Sequence, residues 1–322
     1  MSANIFGERL KFISYGESHG PAYGIVLEGF PANITINEKL LKANLDKRRP
    51  GTTTYVSARS EPDQYEILSG VFENKSLGTP IAVTVRNQNQ RSDDYKKIKS
   101  EPRIGHADDT WKNKFGHADY RGGGRSSGRE TLNRVIAGSF AQMLMNKVSP
   151  KTKVEVFATQ IGSKKIKPAK NLPADIIKFL EVAKQNGESY GGIAECVIKA
   201  PPKNLGQPVF HKLKADLALA TMSLGATTGF ELGGGFESVG LRGTEFHKKM
   251  LSKNYGGIRG GITTGEDIIF RVAFKPTSSI KDTAKKGRHD PCIVPRAMPV
   301  IESIAWFVLA DHYLWSQTDV IN

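Results

Sequence analysis

Histidines and an aspartate in glycine-flanked loops are the residues of this sequence best suited to proton transfer. His19 lies in GESHG, His106 lies in IGHAD, and Asp290 follows a third histidine in GRHDP. Small neighbours leave an imidazole room to meet a ligand, and histidine changes its charge near neutral pH. These loops predict acid–base chemistry on a bound molecule. An ordinary surface location is the alternative for each histidine, and the residues alone leave it open.

The segment DYRGGGRSSGRET, residues 119–131, places three arginines beside bare backbone. Ser127 and Glu130 have the S-x-x-E spacing of a capping box, which predicts that a helix starts at Ser127. A helix start carries unpaired N–H groups and the positive end of the dipole. Arg125 and Arg129 add forked donors that suit phosphate or carboxylate, and Arg121 adds a supporting charge. The segment therefore predicts an anion-binding site, with a capped helix and a flexible entry loop as the alternative.

Two further segments are weaker candidates for anion binding. DKRRPG places Arg48 and Arg49 at the end of a predicted helix, and KPTSS, residues 275–279, places a lysine and three hydroxyls after a strand. Dipole pairing explains the arginines without a ligand, and a surface turn explains KPTSS. Together the residues predict an enzyme that binds a small, multiply anionic substrate, with a phosphate-bearing cofactor as one option.

Composition limits the class of protein and its partners. The 322 residues are 39% hydrophobic, and 46 Lys+Arg against 32 Asp+Glu give a formal charge of +14. This excess attracts nucleic acid, acidic membrane or small anions, so a basic nucleic-acid-binding protein is an alternative that rests on charge alone. Two cysteines, Cys196 and Cys292, provide no metal-binding spacing, and we predict no metal. The absence of a signal-peptide or membrane-length apolar run predicts a cytoplasmic protein without membrane contact.

The elements that must position these loops alternate irregularly between strands and helices. No repeat or linker divides them, so we predict one α+β domain over residues 1–322. The long polar stretch from Arg86 to Arg125 reads as irregular. The predicted strands are one with Phe12, Ile13 and Tyr15, then Gly24–Phe30, Tyr65–Val71, Ile81–Val85, Val154–Ile161, Gly191–Ile198 and Ile268–Phe274. The predicted helices are Glu38–Lys47, capped by Asn37, one from Ser127, Ala174–Gln185, Lys212–Met222 and about Val300–Trp315. Residues 164–170 read as a lysine-rich loop.

An ordered series of longer motifs resembles the signature segments of the chorismate synthase family. GESHG, DKRRPG, EPDQYEILSGVF, GTPIAV, NQRSDDY, GHAD, DYRGGGRSSGRET, GGIRGGI, FKPTSSI and GRHDPC occur in this order and reach to about His312. The resemblance implies a β-α-β sandwich and a homotetramer. It implies a 1,4-anti-elimination that converts 5-enolpyruvylshikimate 3-phosphate to chorismate and phosphate, with no net redox change but with a requirement for reduced FMN. An FMN-binding relative with altered activity is the alternative.

The resemblance also implies roles for individual residues. His19 would be the general acid near the departing phosphate, His106 would stabilise the reduced flavin, and Asp290 would assist proton removal. The implied substrate-binding residues are Ser18, Arg48, Arg49, Arg103 and Arg129. The implied cofactor-binding residues are Arg125, Ser126, Ser127, Gly225, Ala226, Gly260, Lys275, Pro276, Thr277, Ser278, Ser279 and Arg288. Some family members reduce the flavin with NADPH, and the sequence leaves open whether this chain does.

Several positions depart from the family pattern. Ile104 replaces the proline of RPGHAD, Thr54 stands where an arginine is frequent, and Gly225 replaces the asparagine of an Asn-Ala pair. Ala118 stands where an arginine often precedes DYRGGGRSS, and His117 beside it is not predicted by the pattern. These departures lie at the edges of the implied substrate and flavin sites.

Overall fold

The computed structural model describes residues 3–49, 63–87, 105–119, 121–248, 253–278, 280–281 and 290–320. Over these residues two five-stranded sheets enclose long helices. The pairings recorded within both sheets are antiparallel. This confirms the predicted mixed architecture of sheet, helix and sheet.

The first sheet has the spatial order β1–β2–β3–β7–β4. Its strands are β1 (Ile5–Phe6), β2 (Lys11–Gly16), β3 (Ala22–Glu28), β4 (Tyr65–Ile67) and β7 (Ile81–Arg86), and a separate hairpin pairs β5 (Val71–Phe72) with β6 (Lys75–Ser76). Alternate residues of β2 are buried, so Phe12 and Ser14 share the inner face. The predicted strand over 65–71 is wrong in extent: it stops at Ile67, and Gly70 turns the chain with φ +80.

The second sheet has the spatial order β11–β14–β10–β8–β9. Its strands are β8 (Lys153–Ile161), β9 (Lys164–Ala169), β10 (Gly192–Lys199), β11 (Thr227–Leu232) and β14 (Ile268–Phe274). The loop predicted over 164–170 is wrong, because these residues form the edge strand β9 and pair Lys165 with Gln160. Lysines are frequent on edge strands, where their charge disfavours pairing with another chain.

The helices carry most of the buried apolar surface between the sheets. They are α1 (Glu38–Arg48), α2 (Asp108–Phe115), α3 (Thr131–Val148), α4 (Ala174–Gln185), α5 (Leu213–Met222), α6 (Gly243–Phe246) and α7 (Val294–Ser316). Helix α3 packs against β2 and β3, α7 packs against β8 and β10, and the two helices contact each other along their length. One continuous core therefore joins Ile25 of the first sheet to Phe270 of the second.

The close approach of α3 and α7 depends on Gly138. A Cβ at this position would lie 2.3 Å from the backbone oxygen of Ser303, which no real side chain tolerates. Burial on nearly all sides of α3 follows from its place between α7 and the first sheet. The 3/4 spacing of apolar residues in this segment, such as Leu132, Val135 and Ile136, predicts one buried face only, because spacing does not show how many neighbours cover a helix.

Helix α7 begins six residues before its predicted start at Val300. Pro295 occupies the first turn, where a missing N–H group costs little, and Pro299 lies inside the helix. Pro299 would ordinarily end a helix. Burial of Val294, Ala297 and Met298 in this segment compensates for the hydrogen bond that Pro299 cannot donate.

A helix also occurs within the stretch predicted to be irregular. Helix α2 spans Asp108–Phe115 and ends at Gly116, whose φ of +71 forms a left-handed C-cap. Its Trp111 and Phe115 rings lie 5.5 Å apart on the surface. Among the described helices, none has the length and apolar character needed to cross a bilayer.

Candidate active site

The predicted substrate and catalytic residues converge where α1 ends and where α3 and α7 begin. Arg48 at the end of α1 and Arg129 just before α3 both bind Asp63. The charge of Arg296, in the first turn of α7, acts on Arg48, and Arg296 also binds Asp290. The two sheets thus present their loops to one common site.

A buried cluster of opposite charges forms the centre of this site. The Arg48 Nη2 group donates a 2.7 Å hydrogen bond to Asp63 Oδ2, and Arg129 Nη1 donates a 3.0 Å bond to Asp63 Oδ1. The side chains of Arg48, Asp63 and Arg129 are only 2%, 1% and 7% exposed. Asp63 therefore fixes both predicted substrate-binding arginines by one carboxylate.

The cluster keeps Asp63 ionised. Burial alone would raise the pKa of Asp63, but the charges of Arg48 and Arg129 and their hydrogen bonds outweigh burial and lower it. Burial lowers the pKa of Arg48, and Asp63 opposes that change. Two arginines against one carboxylate leave an excess of positive charge, which suits a bound anion.

The loop after β2 places Ser18 and His19 beside the cluster. Both side chains are buried, and the Ser18 backbone N–H donates to the oxygen of Gly124 at 3.3 Å. The Ser18 Oγ atom is buried and has no hydrogen-bond partner within the described residues. A buried hydroxyl of this kind is suited to a ligand, because burial without a partner is costly.

Arg125 supports the beginning of this loop. Its Nη1 group donates to the oxygen of Gly16 at 2.9 Å, and its Nη2 group donates to Ser14 Oγ at 2.9 Å. Asn133, which is fully buried in α3, donates to the same Ser14 Oγ and to the oxygen of Tyr15. The guanidinium of Arg125 is thus engaged with β2, and its cofactor contact stays a prediction.

The predicted capping box at residues 127–130 is wrong. Ser127 Oγ accepts from the N–H of Arg129 at 3.4 Å, not from that of Glu130. The Glu130 carboxylate instead binds Arg134 Nε at 2.9 Å. Short 3-10 turns over Arg121–Ser126 and Gly128–Glu130 precede α3, which begins at Thr131. Glu130 pairs with Arg134, one helical turn ahead, because Arg134 offers a full opposite charge.

Asp119 extends the polar surroundings of His19. Arg121 donates to both carboxylate oxygens of Asp119 at 2.8 Å, and these hydrogen bonds lower the pKa of Asp119. The charge of His19 acts in the same direction, so the two residues are electrostatic neighbours. Arg121, which the sequence identified only as a supporting charge, holds this carboxylate. His117 is exposed.

A second group of predicted residues follows β14. Thr277 Oγ1 donates to the backbone oxygen of Asp290 at 3.0 Å, and the backbone N–H of Lys275 donates to the oxygen of Ala226 at 2.9 Å. Ser278 lies near Gly105, since a Cβ at Gly105 would be 3.6 Å from that of Ser278. The structure therefore gathers Ala226, Lys275–Ser278 and the segment of His106, which is half-buried.

Two predicted site residues lie apart from these groups. Arg49, the half-buried residue that follows α1, is bound to Asp46 at 3.0 Å and, among the described residues, not to the Arg48 cluster. Gly260 lies at the other end of α5 from Ala226, because Gly261 accepts from the N–H of Leu213, the first residue of that helix. A ten-residue helix is roughly 15 Å long.

Three functional residues were missed by the sequence analysis: Asp63, Asn87 and Arg296. Asp63 and Asn87 act across long stretches of chain, so spacing within a motif could not reveal them. Arg296 lies six residues after its partner Asp290. Asp63 lies within the quoted motif EPDQYEILSGVF, and that was the only available signal. The predicted residues Arg103, Ser279 and Arg288, and the departures Thr54 and Ile104, lie outside the described residues.

Comparison with known proteins gives one consistent result. The chorismate synthase family model matches residues 10–314. A chorismate synthase of Bdellovibrio bacteriovorus is 56% identical over the full length of both chains, and one of Cytophaga hutchinsonii is 43% identical over 97% of this chain and 98% of its own. A crystal structure of chorismate synthase superimposes with a TM-score of 0.77 at 28% identity, covering 97% of this chain and 94% of the other. The chain belongs to the chorismate synthase family.

Proposed function

We propose that this chain converts 5-enolpyruvylshikimate 3-phosphate into chorismate and phosphate by a 1,4-anti-elimination that requires reduced FMN. The observation that carries the proposal is the buried Arg48–Asp63–Arg129 cluster beside the loop of Ser18 and His19. Membership in the chorismate synthase family supports the same reaction. The enzyme is accordingly a carbon–oxygen lyase.

The charge of the site suits this substrate. The substrate carries a phosphate and two carboxylates. The three arginines Arg48, Arg129 and Arg296 exceed by one the two carboxylates that bind them, Asp63 and Asp290. Arg48 Nε is buried with no hydrogen-bond partner among the described residues, and so is Ser18 Oγ. Both are donors that an anionic oxygen would satisfy. Binding the anion thus stabilises groups whose burial is costly in the free protein.

Two proton steps fall to residues of this chain. The carbon–oxygen bond to phosphate breaks as a proton leaves the other end of the reacting system. We assign His19 to the leaving oxygen as general acid, because a proton there lowers the barrier to expelling an anion. We assign Asp290 to proton removal, with Arg296 bound to its carboxylate. His106, on the segment beside Ser278, is assigned to the cofactor side.

The residues after β14 fit a phosphate-bearing cofactor. Gly225 has open space where a Cβ would stand, and Ala226 and Lys275 are joined by a backbone hydrogen bond beside it. Lys275 is exposed, so its charge is available to a phosphate. When bound, reduced FMN would supply electron density to the centre that becomes electron-poor as the carbon–oxygen bond breaks. The residues assigned to hold it are Arg125, Ser126, Ser127, Gly225, Ala226, Lys275, Pro276, Thr277 and Ser278.

A homotetramer is part of the proposal. The separation of Gly260 from Ala226 and Lys275 supports it, because Gly260 could then serve the cofactor of another subunit only.

We further propose that residues 1–322 form one domain, supported by the continuous core, and that the protein is cytoplasmic. Whether NADPH reduces the flavin on this chain is tested by adding NADPH to the oxidised holoenzyme.

The test is anaerobic turnover with purified protein and reduced FMN. Chorismate formation from 5-enolpyruvylshikimate 3-phosphate is the expected result, and no product from protein shown to bind FMN would reject the proposal. Nucleic-acid binding is tested in parallel by retention on DNA and RNA columns at rising salt. Burial of Arg48 and Arg129 predicts that neither is needed for any such retention.

A further inference from the structure

Asn87, directly after β7, connects three parts of the proposed active site. Its Nδ2 group donates to the backbone oxygen of Gly20 at 2.7 Å and to that of Glu17 at 3.2 Å. Its Oδ1 atom accepts from Arg129 Nε at 3.0 Å. The carboxamide of this half-buried side chain thus uses both its donor and its acceptor groups.

The two carbonyls bound by Asn87 flank the catalytic loop. Glu17 and Gly20 lie on either side of Ser18 and His19, and the N–H of Gly20 also donates to the oxygen of Glu17 at 3.1 Å. The backbone N–H of Asn87 donates to the oxygen of Pro21 at 3.0 Å. Asn87 therefore holds both ends of the turn that presents the proposed acid.

On its other side Asn87 orients a substrate-binding arginine. Arg129 donates its Nε–H to Asn87 and its Nη1–H to Asp63, so the two contacts fix the plane of the guanidinium. The same guanidinium lies 5.8 Å from the centre of the Tyr23 ring. The loop of His19, Asn87, Arg129 and Asp63 form one continuous chain of hydrogen bonds.

We propose that Asn87 is a positioning residue that couples the placement of Arg129 to the placement of the His19 loop. The expected effect on kcat rests on the proposed function, whereas the structural coupling of Arg129 to the His19 loop does not. Binding of a substrate anion at Arg129 is transmitted through Asn87 to the loop that must protonate the leaving oxygen. An amide is required at this position, because arginine offers only donors and the two carbonyls only acceptors.

The first test uses Asn87→Ala and the isosteric Asn87→Asp. Alanine removes all three side-chain bonds, and aspartate replaces two donors by a charged oxygen that repels both carbonyls. We expect kcat to fall about 10- to 100-fold in each, which is the effect of a small misplacement of a catalytic group. We expect KM to change less than threefold in Asn87→Ala, and to rise further in Asn87→Asp because the new carboxylate offsets the charge of Arg129. Asn37→Ala is the matched control, since Asn37 caps α1 by a single bond to Leu40 and lies outside the site.

The second test does not depend on turnover. Imidazole chemical shifts and line widths of His19 are recorded at one pH without FMN or substrate, and His19→Ala assigns the signal. Asn87→Ala and Asn87→Asp are expected to shift and broaden this signal, while Asn37→Ala leaves it unchanged. If the wild-type protein fails to turn over, the proposed function fails, but this comparison still decides the coupling.

A double-mutant cycle measures the coupling itself. Arg129→Lys removes the Nε donor of the hydrogen bond to Asn87 Oδ1, and Asn87→Ala removes its acceptor. Both substitutions therefore remove the same bond. We expect the combined fall in kcat/KM to be smaller than the product of the two single falls by at least threefold. Additive effects, or an Asn87→Asp variant with wild-type kcat and an unchanged His19 signal, would overturn the inference.

Discussion

Arg48 and Asp63 form an ion pair at 2.7 Å in which neither side chain exceeds 2% exposure. Asp63 also binds Arg129, so the carboxylate is shared between the end of α1 and the start of α3. A buried pair of this kind gives little net stability, since both charges lose their hydration. Its value lies in holding two arginines in fixed positions before a substrate anion arrives, which lowers the cost of organising the site.

Removing the shared carboxylate should destabilise the protein strongly. Asp63→Asn leaves two buried arginines without a counter-charge, and we expect a loss of about 3–5 kcal/mol in the free energy of unfolding. Denaturant unfolding measures it. Added phosphate should restore more stability to the variant than to the wild type, because the anion replaces the lost charge. Asp46→Asn is the control, since its pair with Arg49 is much more accessible to solvent and is worth about 1 kcal/mol or less. Equal losses in the two variants would contradict this role.

The Asp63 contribution should disappear in acid. Its folded pKa is lowered below the unfolded value of about 3.9, so the stabilisation is present above that pH. It is lost as the pH falls through the folded pKa, because the carboxyl is then protonated in both states. The difference in unfolding free energy between wild type and Asp63→Asn should therefore narrow steadily below about pH 4. A difference that stays constant on acidification to the lowest pH at which both variants fold would show that another effect dominates.

Mutation of the proposed acid, His19, should lower turnover without unfolding the protein. We expect His19→Gln to lower kcat about 10²- to 10⁴-fold, the usual contribution of general acid catalysis, with little change in melting temperature. His106→Ala should also lower turnover strongly with the fold intact. His117→Ala serves as the comparison, since that histidine is exposed in the neighbouring segment. Near-normal turnover in His19→Gln would remove the acid role from His19.

Arg296 should matter through Asp290. The two side chains form a salt bridge, with the Asp290 carboxylate 8% exposed. Arg296→Gln should lower kcat about tenfold or more, because the Asp290 carboxylate is then less firmly positioned. Arg296→Lys should restore part of the rate, because it keeps the charge but not the planar fork. The Arg271→Gln variant, which breaks a half-buried pair with Glu231 in the second sheet, should behave as wild type. An unchanged kcat in Arg296→Gln would show that Asp290 does not depend on it.

Local signals in the sequence predicted local structure well. Asn37 caps α1 as expected, with its side chain accepting from Leu40, and α4 spans Ala174–Gln185 as predicted. The failures have physical causes that lie elsewhere in the chain. Strand β9 forms because β8 pairs with it, and α7 starts early because Val294, Ala297 and Met298 around its prolines are buried in the core. Propensity yields to tertiary contact in both cases.

The sequence predicted those site residues that lie within a motif of the family. Arg48, Arg129 and the loop of His19 are brought together as the family resemblance implied. Asp63 and Asn87 were not found, because each serves groups that are distant in sequence. Asp63 binds Arg129 across 66 residues, and Asn87 binds the oxygen of Gly20 across 67. Only the folded chain reveals a side chain whose role is to hold others.

The most direct test of the central claim is the stoichiometry of anaerobic turnover. Protein loaded with reduced FMN is mixed with 5-enolpyruvylshikimate 3-phosphate, and chorismate, phosphate and flavin absorbance are measured together. We predict chorismate and phosphate in equal amounts, many turnovers per site, and flavin that is still reduced at the end. Phosphate without chorismate, or no product from protein shown to bind both FMN and the substrate, would contradict the proposed elimination.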